Sequence, residues 1–309
     1  MKILPSNFRH WAQEKIKSLN AQHATHLATQ FSYICRAEYL NGCAINSNMQ
    51  GISNEKYCGN EIIVSLTTHG RRLHETYLAI ESIMQQTLKP NRIILWLSDD
   101  FKNIDIPRVL QRQQKRGLEI RFCKDIRSYT KLIPALMNFP SSTIITIDDD
   151  QLYHFDLLEN LVNAHKNHPK MIFCGRMHRM RLLAKDKLEK YSKWTLGYED
   201  FDISPLNFPV GVGGVLYPPN CFNEEIFNEN IFLEICKYAD DIWFKAMALL
   251  NGVRSQKVFT HNKNGKDHLR IENSQYTALS YINRSQGMND VQLKMVFDKY
   301  NLYEKLFDN

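Results

Sequence analysis

From Glu61 onward, short apolar and β-branched runs alternate with segments of helical period, and this alternation is what most restricts the fold. Ile62-Ile63-Val64-Ser65-Leu66 reads as a buried strand, and the segment after it sets Leu73, Tyr77, Ile80 and Met84 along one helical face. Residues 92–98 (RIILWLS) form a second strand. Asp105 and Pro107 then open a helix through Gln114, the aspartate as its cap and the proline in its first turn. Residues 119–123 are a third strand, 131–138 a short helix and 143–147 a fourth strand; Leu157, Leu158, Leu161, Val162 and His165 mark another helix, and residues 171–174 another strand. Strands that are apolar on both faces need cover on both, so the pattern predicts an α/β, Rossmann-type, mostly parallel sheet between helices. Ligands of such sheets sit at the carboxyl ends of the strands. Three of those ends are polar, Thr67-Thr68-His69, Asp99-Asp100 and Asp148-Asp149-Asp150, and they are expected to converge on one crevice.

A chain of 309 residues with 43% hydrophobic content can bury one large core, or one domain plus an appendage. Residues 1–59 differ from the rest of the chain: they are helical in tendency, carry Phe8, Trp11, Phe31, Tyr33 and Tyr39, and end in a polar stretch. They read as an N-terminal helical extension and linker, with the main domain over 60–309. A cap packed on that domain is the leading expectation, and Lys2, Arg9, Lys15 and Lys17 keep a peripheral membrane or homo-oligomer contact as the alternative. The formal charge of +6 mildly favours anionic partners such as nucleotides, acidic glycans or a membrane surface. No nucleic-acid partner is expected. Seven cysteines without CxxC or zinc spacing read as reduced thiols of a cytoplasmic protein, and neither a membrane-length apolar run nor a signal core is found.

The three consecutive carboxylates after the fourth strand carry the strongest chemical signal. Ionised carboxylates are costly to desolvate and repel one another, so such a cluster calls for a cation, with Mg²⁺ or Mn²⁺ the natural partner of hard oxygen ligands. Asp148 and Asp150, two apart on an extended chain, point the same way and suit a metal bridging a diphosphate. A solvated turn or a helix cap is the plainer role for Asp149 and Asp150. Asp240-Asp241 opens a helix, where the dipole favours acids, but Asp241 precedes an apolar Ile-Trp face and also fits a general base aimed into a pocket. Lys131, Arg71 and Arg72 are placed to neutralise phosphate, or are surface charges. His261 and His268, on a polar loop, are candidate metal ligands or solvated histidines. Gly211, Gly213 and Gly214 do not make a dinucleotide fingerprint, and no Walker loop or nucleophile triad emerges.

The ordered series IIVSLTTHGRR, AIESIMQQTLKPNRIILWLSDD, YTKLIPAL, IITIDDDQLYHFDLLENL, GVGGVLYPP and ADDIWFKAMALL resembles bacterial nucleotide-sugar glycosyltransferases of the GT-A fold, associated with capsule or lipopolysaccharide. The likeness runs from about Glu61 to Asp290, including NRSQGMND, and leaves out the first 60 residues. It implies a UDP-, GDP- or CMP-sugar donor and a glycan or lipid-linked acceptor. It also implies that Thr67 and Thr68 line the nucleotide pocket, that Asp99 approaches the base, and that Asp148 and Asp150 hold Mn²⁺ or Mg²⁺ on the diphosphate. Asp149, Arg71 and Lys131 join the donor-binding groups. By analogy with inverting relatives Asp241 is the acceptor base, beside Asp240 where many such enzymes carry Glu; His261 is the remaining candidate ligand. Trp194, Tyr198, Tyr217 and Trp243 suit sugar stacking or core packing equally. An aspartate-dependent phosphohydrolase and a non-catalytic carbohydrate-binding or assembly protein are the competing classes. The first wants Thr or Val where Leu152 stands, and its motif on the first strand.

Overall fold

The computed structural model describes residues 6–260, 268–271 and 287–307. One long helix, α1 (Ser6–Asn46), precedes the alternation β1 (Ile62–Thr67), α2 (Thr76–Met84), β2 (Arg92–Ser98), α3 (Arg108–Gln114), β3 (Leu118–Cys123), α4 (Ile133–Asn138), β4 (Thr143–Thr146), β5 (Gln151–Tyr153), α5 (Leu157–Asn167) and β6 (Ile172–Cys174). The remainder comprises β7 (Met177–Arg179), β8 (Leu182–Ala184), β9 (Lys187–Leu188), β10 (Asn207–Pro209), β11 (Val215–Tyr217), α6 (Glu229–Ile235), α7 (Asp240–Leu250), β12 (Ser255–Lys257), β13 (His268–Arg270) and α8 (Met288–Tyr300). Among the described residues no helix is long and apolar enough to cross a membrane.

Seven strands form the central sheet in the order β12-β6-β11-β4-β1-β2-β3, and all but β11 run the same way. The expected α/β class with a mostly parallel, two-sided sheet is therefore the observed one. Alternation along the strands separates two cores: Ile63, Ile94, Ile144 and Tyr217 face α4, α7 and α8, whereas Ile62, Val64, Leu95 and Ile145 face α2, α3 and α5. The chain runs outward from β1 to β3 and then returns to lay β4 on the other flank of β1. That reversal opens a crevice at the carboxyl ends of β1 and β4, the place where such sheets bind ligands. Ser65 lies opposite Thr146 in the β1–β4 register, so Thr67 and Thr68 come level with Asp148 and Asp149 just beyond the strands.

Two helix starts differ from the sequence expectation. The helix expected from Asp105 begins at Arg108, with extended Pro107 at its cap and no side-chain capping bond. A residue before proline is driven out of the helical region, which delays the start. Residues 127–131 form a separate 3₁₀ turn before α4, which leaves Lys131 at the end of a tight bend.

The C-terminal part of α1 is docked on the domain: Leu40 joins Leu78, Ala79, Leu152 and Ile271 in a small core. The segment between α1 and β1 is pinned by Arg116, whose Nε donates to the Met49 carbonyl at 2.8 Å while its two Nη atoms donate to both oxygens of buried Glu81 at 2.9 Å.

Candidate active site

The crevice between β1 and β4 deepens into a cavity of about 430 Å³, into which the ends of β1 and β4, the 127–131 turn and the start of α7 all project. Each acid of the triplet has a separate environment. Asp149 is buried and accepts from Thr68 Oγ1 at 2.6 Å and Arg72 Nη1 at 2.9 Å, so it anchors the β1 end to the β4 end. Asp148 accepts from Lys131 Nζ at 2.9 Å, and its own N–H donates to Tyr153 Oη at 2.8 Å. Asp150 accepts from Gln151 Nε2 and lies 3.5 Å from Arg72 Nη1. Burial, and then the charges of Asp148 and Asp149, push its carboxyl above the ordinary range.

Lys131 is the hub of the site. Its Nζ lies 2.9 Å from Asp148 Oδ1 and 2.9 Å from Asp240 Oδ2, joining the acids after β4 to those that open α7. Burial alone would lower the ammonium, but the charges of Asp148, Asp240 and Asp241 outweigh it and hold Lys131 well above its usual value. Its backbone is held in turn: Ser65 Oγ donates to the Lys131 carbonyl at 2.6 Å and accepts from Trp96 Nε1 at 3.0 Å.

Asp241 accepts the Gly211 N–H with both oxygens at 3.1 Å. Burial first, then the charge of Asp240, raise its carboxyl to about 7 against the pull of Lys131. Gly211 lies where Asp241 and Lys131 meet, since a Cβ there would stand 2.8 Å from both Asp241 Oδ1 and Lys131 Nζ.

The lining carries six aspartates, Asp125 and the five acids after β4 and at the start of α7, against four cations, Lys131, Arg72, Arg127 and Arg270. Among the described residues no group of three or more His, Cys, Asp or Glu side chains is arranged to hold a metal ion. Asp148 and Asp150 nonetheless fit one: they are hard oxygen donors, and a divalent cation would offset both the burial and the neighbouring acid charge that raise Asp150.

Thr67, Thr68, Lys131, Asp148, Asp149, Asp150, Asp240 and Asp241 all line the cavity. Arg71 is exposed away from it, and its neighbour Arg72 turns inward instead. Asp99 is about half exposed, pairs with Lys102 at 3.0 Å and is not part of the lining, although Ser98 before it is. His261 lies outside the described residues, and His268 pairs through its backbone in β13. Of the aromatic candidates, Trp194, Tyr217 and Trp243 are core residues: Trp243 is fully buried and donates to the Ile226 carbonyl at 3.2 Å, because the apolar face of α7 packs inward. The aromatic lining comes from Tyr191, Phe208 and Tyr238. Sequence reasoning passed over these three, and also Arg127 and Arg270 of the lining. For Arg127 a local signal existed, a basic residue two positions after Asp125 just beyond a strand.

No family model matches the chain, and no curated protein matches it. Among solved structures, the chain is similar to the mannosyltransferase PcManGT from Pyrobaculum calidifontis in complex with GDP-Man and Mn²⁺, at 13% identity and a TM-score of 0.40, covering 77% of this chain and 64% of that one. Residues 1–349 of S. aureus TarS in complex with UDP match at 12% identity and a TM-score of 0.45, covering 67% of this chain and 59% of that one. A CMP:2-keto-3-deoxy-manno-octonic acid synthetase complexed with CTP matches at 10% identity and a TM-score of 0.38, covering 64% and 89%. The chain therefore spans less than two thirds of the length of the first two. Likenesses this distant describe a partly shared chain path, and the chemistry of the site rests on its own geometry.

Proposed function

We propose that the chain is a metal-dependent glycosyltransferase that moves a sugar from a nucleotide-sugar donor to a hydroxyl of a glycan or lipid-linked acceptor, with inversion. The observation that carries this reading is the opposition of two acid sets in one cavity, Asp148 and Asp150 at the topological switch point and Asp240 and Asp241 at the start of α7, joined by Lys131 through Asp148 and Asp240. Thr67 and Thr68 would line the nucleotide end, and Asp148 and Asp150 would hold Mn²⁺ or Mg²⁺. When bound, that ion supplies charge neutralisation to a departing nucleoside diphosphate. Asp241 takes the proton of the acceptor hydroxyl, a role suited to a carboxylate with an affinity near neutrality. Gly211 orients it through the amide. The likeness of the Asp240-Asp241 pair to the acidic pair of inverting relatives supports inversion. Resemblance of the ordered motifs supports bacterial surface polysaccharide as the product, assembled at the cytoplasmic face of the membrane by residues 60–309, with 1–59 as an accessory extension.

The test is a panel of UDP-, GDP- and CMP-sugars, scored for nucleoside diphosphate or monophosphate release with Mn²⁺, with Mg²⁺ and with EDTA. One donor should be turned over only with metal. Asp150→Asn should abolish turnover and weaken donor binding in the presence of metal but not in EDTA; a variant with the metal-dependent affinity of the wild type would refute the assignment.

A further inference from the structure

Among the described residues three non-glycine positions have positive φ, and two are asparagines, which tolerate the left-handed region; the third is Arg127, at φ 61. A β-carbon makes this conformation costly, and such residues persist where the surroundings impose them, often at ligand sites. Arg127 lines the cavity and is exposed to it. Its N–H donates to Asp125 Oδ1 at 2.7 Å, which turns that carboxylate back onto the loop. The guanidinium carbon sits 5.4 Å from the centroid of the Tyr238 ring, and Tyr238 is fastened by its N–H to buried Gln292 at 2.8 Å. Lys237 Nζ stands 5.7 Å from the same ring.

The cations of this cavity divide into two kinds. Lys131 and Arg72 are each committed to aspartates, whereas Arg127 on the 127–131 turn and Arg270 on β13 line the cavity without a carboxylate pair among the described residues. The Arg127 guanidinium has no carboxylate partner among the described residues, in a cavity otherwise rich in acids. It also stands apart from the β4 acids in role, because Tyr238 comes three residues before Asp241 and places the arginine beside the start of α7. We propose that Arg127, stacked on Tyr238 at the α7 rim, is an anion-binding subsite that takes an oxyanion of the acceptor: the carboxylate of an acidic sugar or the phosphate of a lipid-linked one. A planar guanidinium held by an aromatic face presents two parallel N–H donors, the geometry that carboxylates and phosphates accept. Its assignment to the acceptor rests on the transferase reading; the anion subsite itself does not.

Asparagine is the discriminating replacement, since Arg127→Asn keeps a residue at ease at this φ while removing the charge. The wild type and R127N would be titrated with glucuronic acid, octyl phosphate and, as a neutral control, glucose, with UDP, GDP and CMP plus Mn²⁺ measured on the same samples. The wild type should bind at least one anionic probe more tightly than glucose, and which one identifies the source of the oxyanion. R127N should lose roughly tenfold or more of that affinity, about the worth of one charge-assisted pair, while its Tm equals or exceeds that of the wild type. Equal probe affinity in R127N, no anion preference in the wild type, or a Tm several degrees lower in R127N would each overturn the proposal. A wild type that binds no nucleotide but shows Arg127-dependent anion binding would leave the subsite standing and remove the transferase reading alone.

Discussion

Asp241 shares its surroundings with Asp240 and Lys131, and burial together with the first of these lifts its carboxyl to about 7. Under the proposed reading Asp241 is the base and must be deprotonated to act, so transfer should fall about tenfold per pH unit below that value, a slope visible in kcat against pH. Asp241→Asn should cut transfer by roughly 10² to 10⁴ with donor affinity nearly intact; near-normal transfer would reduce Asp241 to an acid that favours the helix start. The same group acts on stability with a definite sign. A carboxyl raised in the folded state holds a proton that the unfolded chain has already released, so its contribution to stability declines as pH rises from about 4 to above 7. Gly211 makes a second case at this scale. The methyl of Gly211→Ala would lie 2.8 Å from Asp241 Oδ1 and Lys131 Nζ at once, and backbone anchors one of the two. Its kcat should drop by an order of magnitude or more with a smaller loss in Tm, as expected when a reacting group is displaced by a fraction of an ångström. An unchanged kcat would count against Asp241 as the base of the proposed transfer.

At the scale of elements, α1 is two things in one helix. Leu40 and Ala44 are fully buried, Leu40 against Leu78 and Ala79 of α2, whereas Leu27, Phe31 and Ile34 are more than half exposed. Leu40→Ala should cost about 2–5 kcal/mol, the range for deleting a buried leucine side chain, and Phe31→Ala should fall within about 0.5 kcal/mol of the wild type. Urea denaturation measures both, and comparable losses would show that the exposed half of α1 is covered in solution. α2 is tied in from the other side by the Glu81–Arg116 pair. With both partners almost wholly buried, this pair is less a source of net stability than a device that fixes where the segment after α1 crosses the sheet, because a charge left alone there would be far costlier than the pair.

At the scale of the whole molecule, global stability should carry a further pH signature from Lys245 on α7. Its Nζ is buried with no hydrogen-bond partner among the described residues, and burial, then the nearby charge of Arg254, lower it to about 7. Between that value and about 10.5 the unfolded chain keeps a proton that the folded chain has lost, so unfolding becomes harder as pH rises through this window. Lys245→Met should remove that slope and stabilise the protein most at pH 7 and below. Parallel slopes for variant and wild type at pH 6, 8 and 10 would show that the ammonium has found a partner. The sheet decides more than stability: because β4 returns beside β1, the acids after one strand meet the threonines after the other, although 81 residues separate Thr68 from Asp149.

The sequence by itself determined the class of fold and the neighbourhood of the site. Runs such as Ile62–Leu66 and Thr143–Ile147 are local signals, since covering both faces is demanded by composition wherever the strand is placed, and the clustered acids cannot be buried without partners. The arrangement of side chains within the site was decided only by the tertiary structure. Arg71 and Arg72 are equivalent in sequence until the turn after β1 aims one inward; Trp243 and Tyr217 suit sugar stacking and core packing equally until helix and sheet close over them; Lys131 becomes a hub only when α7 arrives beside the 127–131 turn. Side-chain direction around a bend, and partners scores of residues apart, depend on strand order and packing, which no short-range pattern encodes.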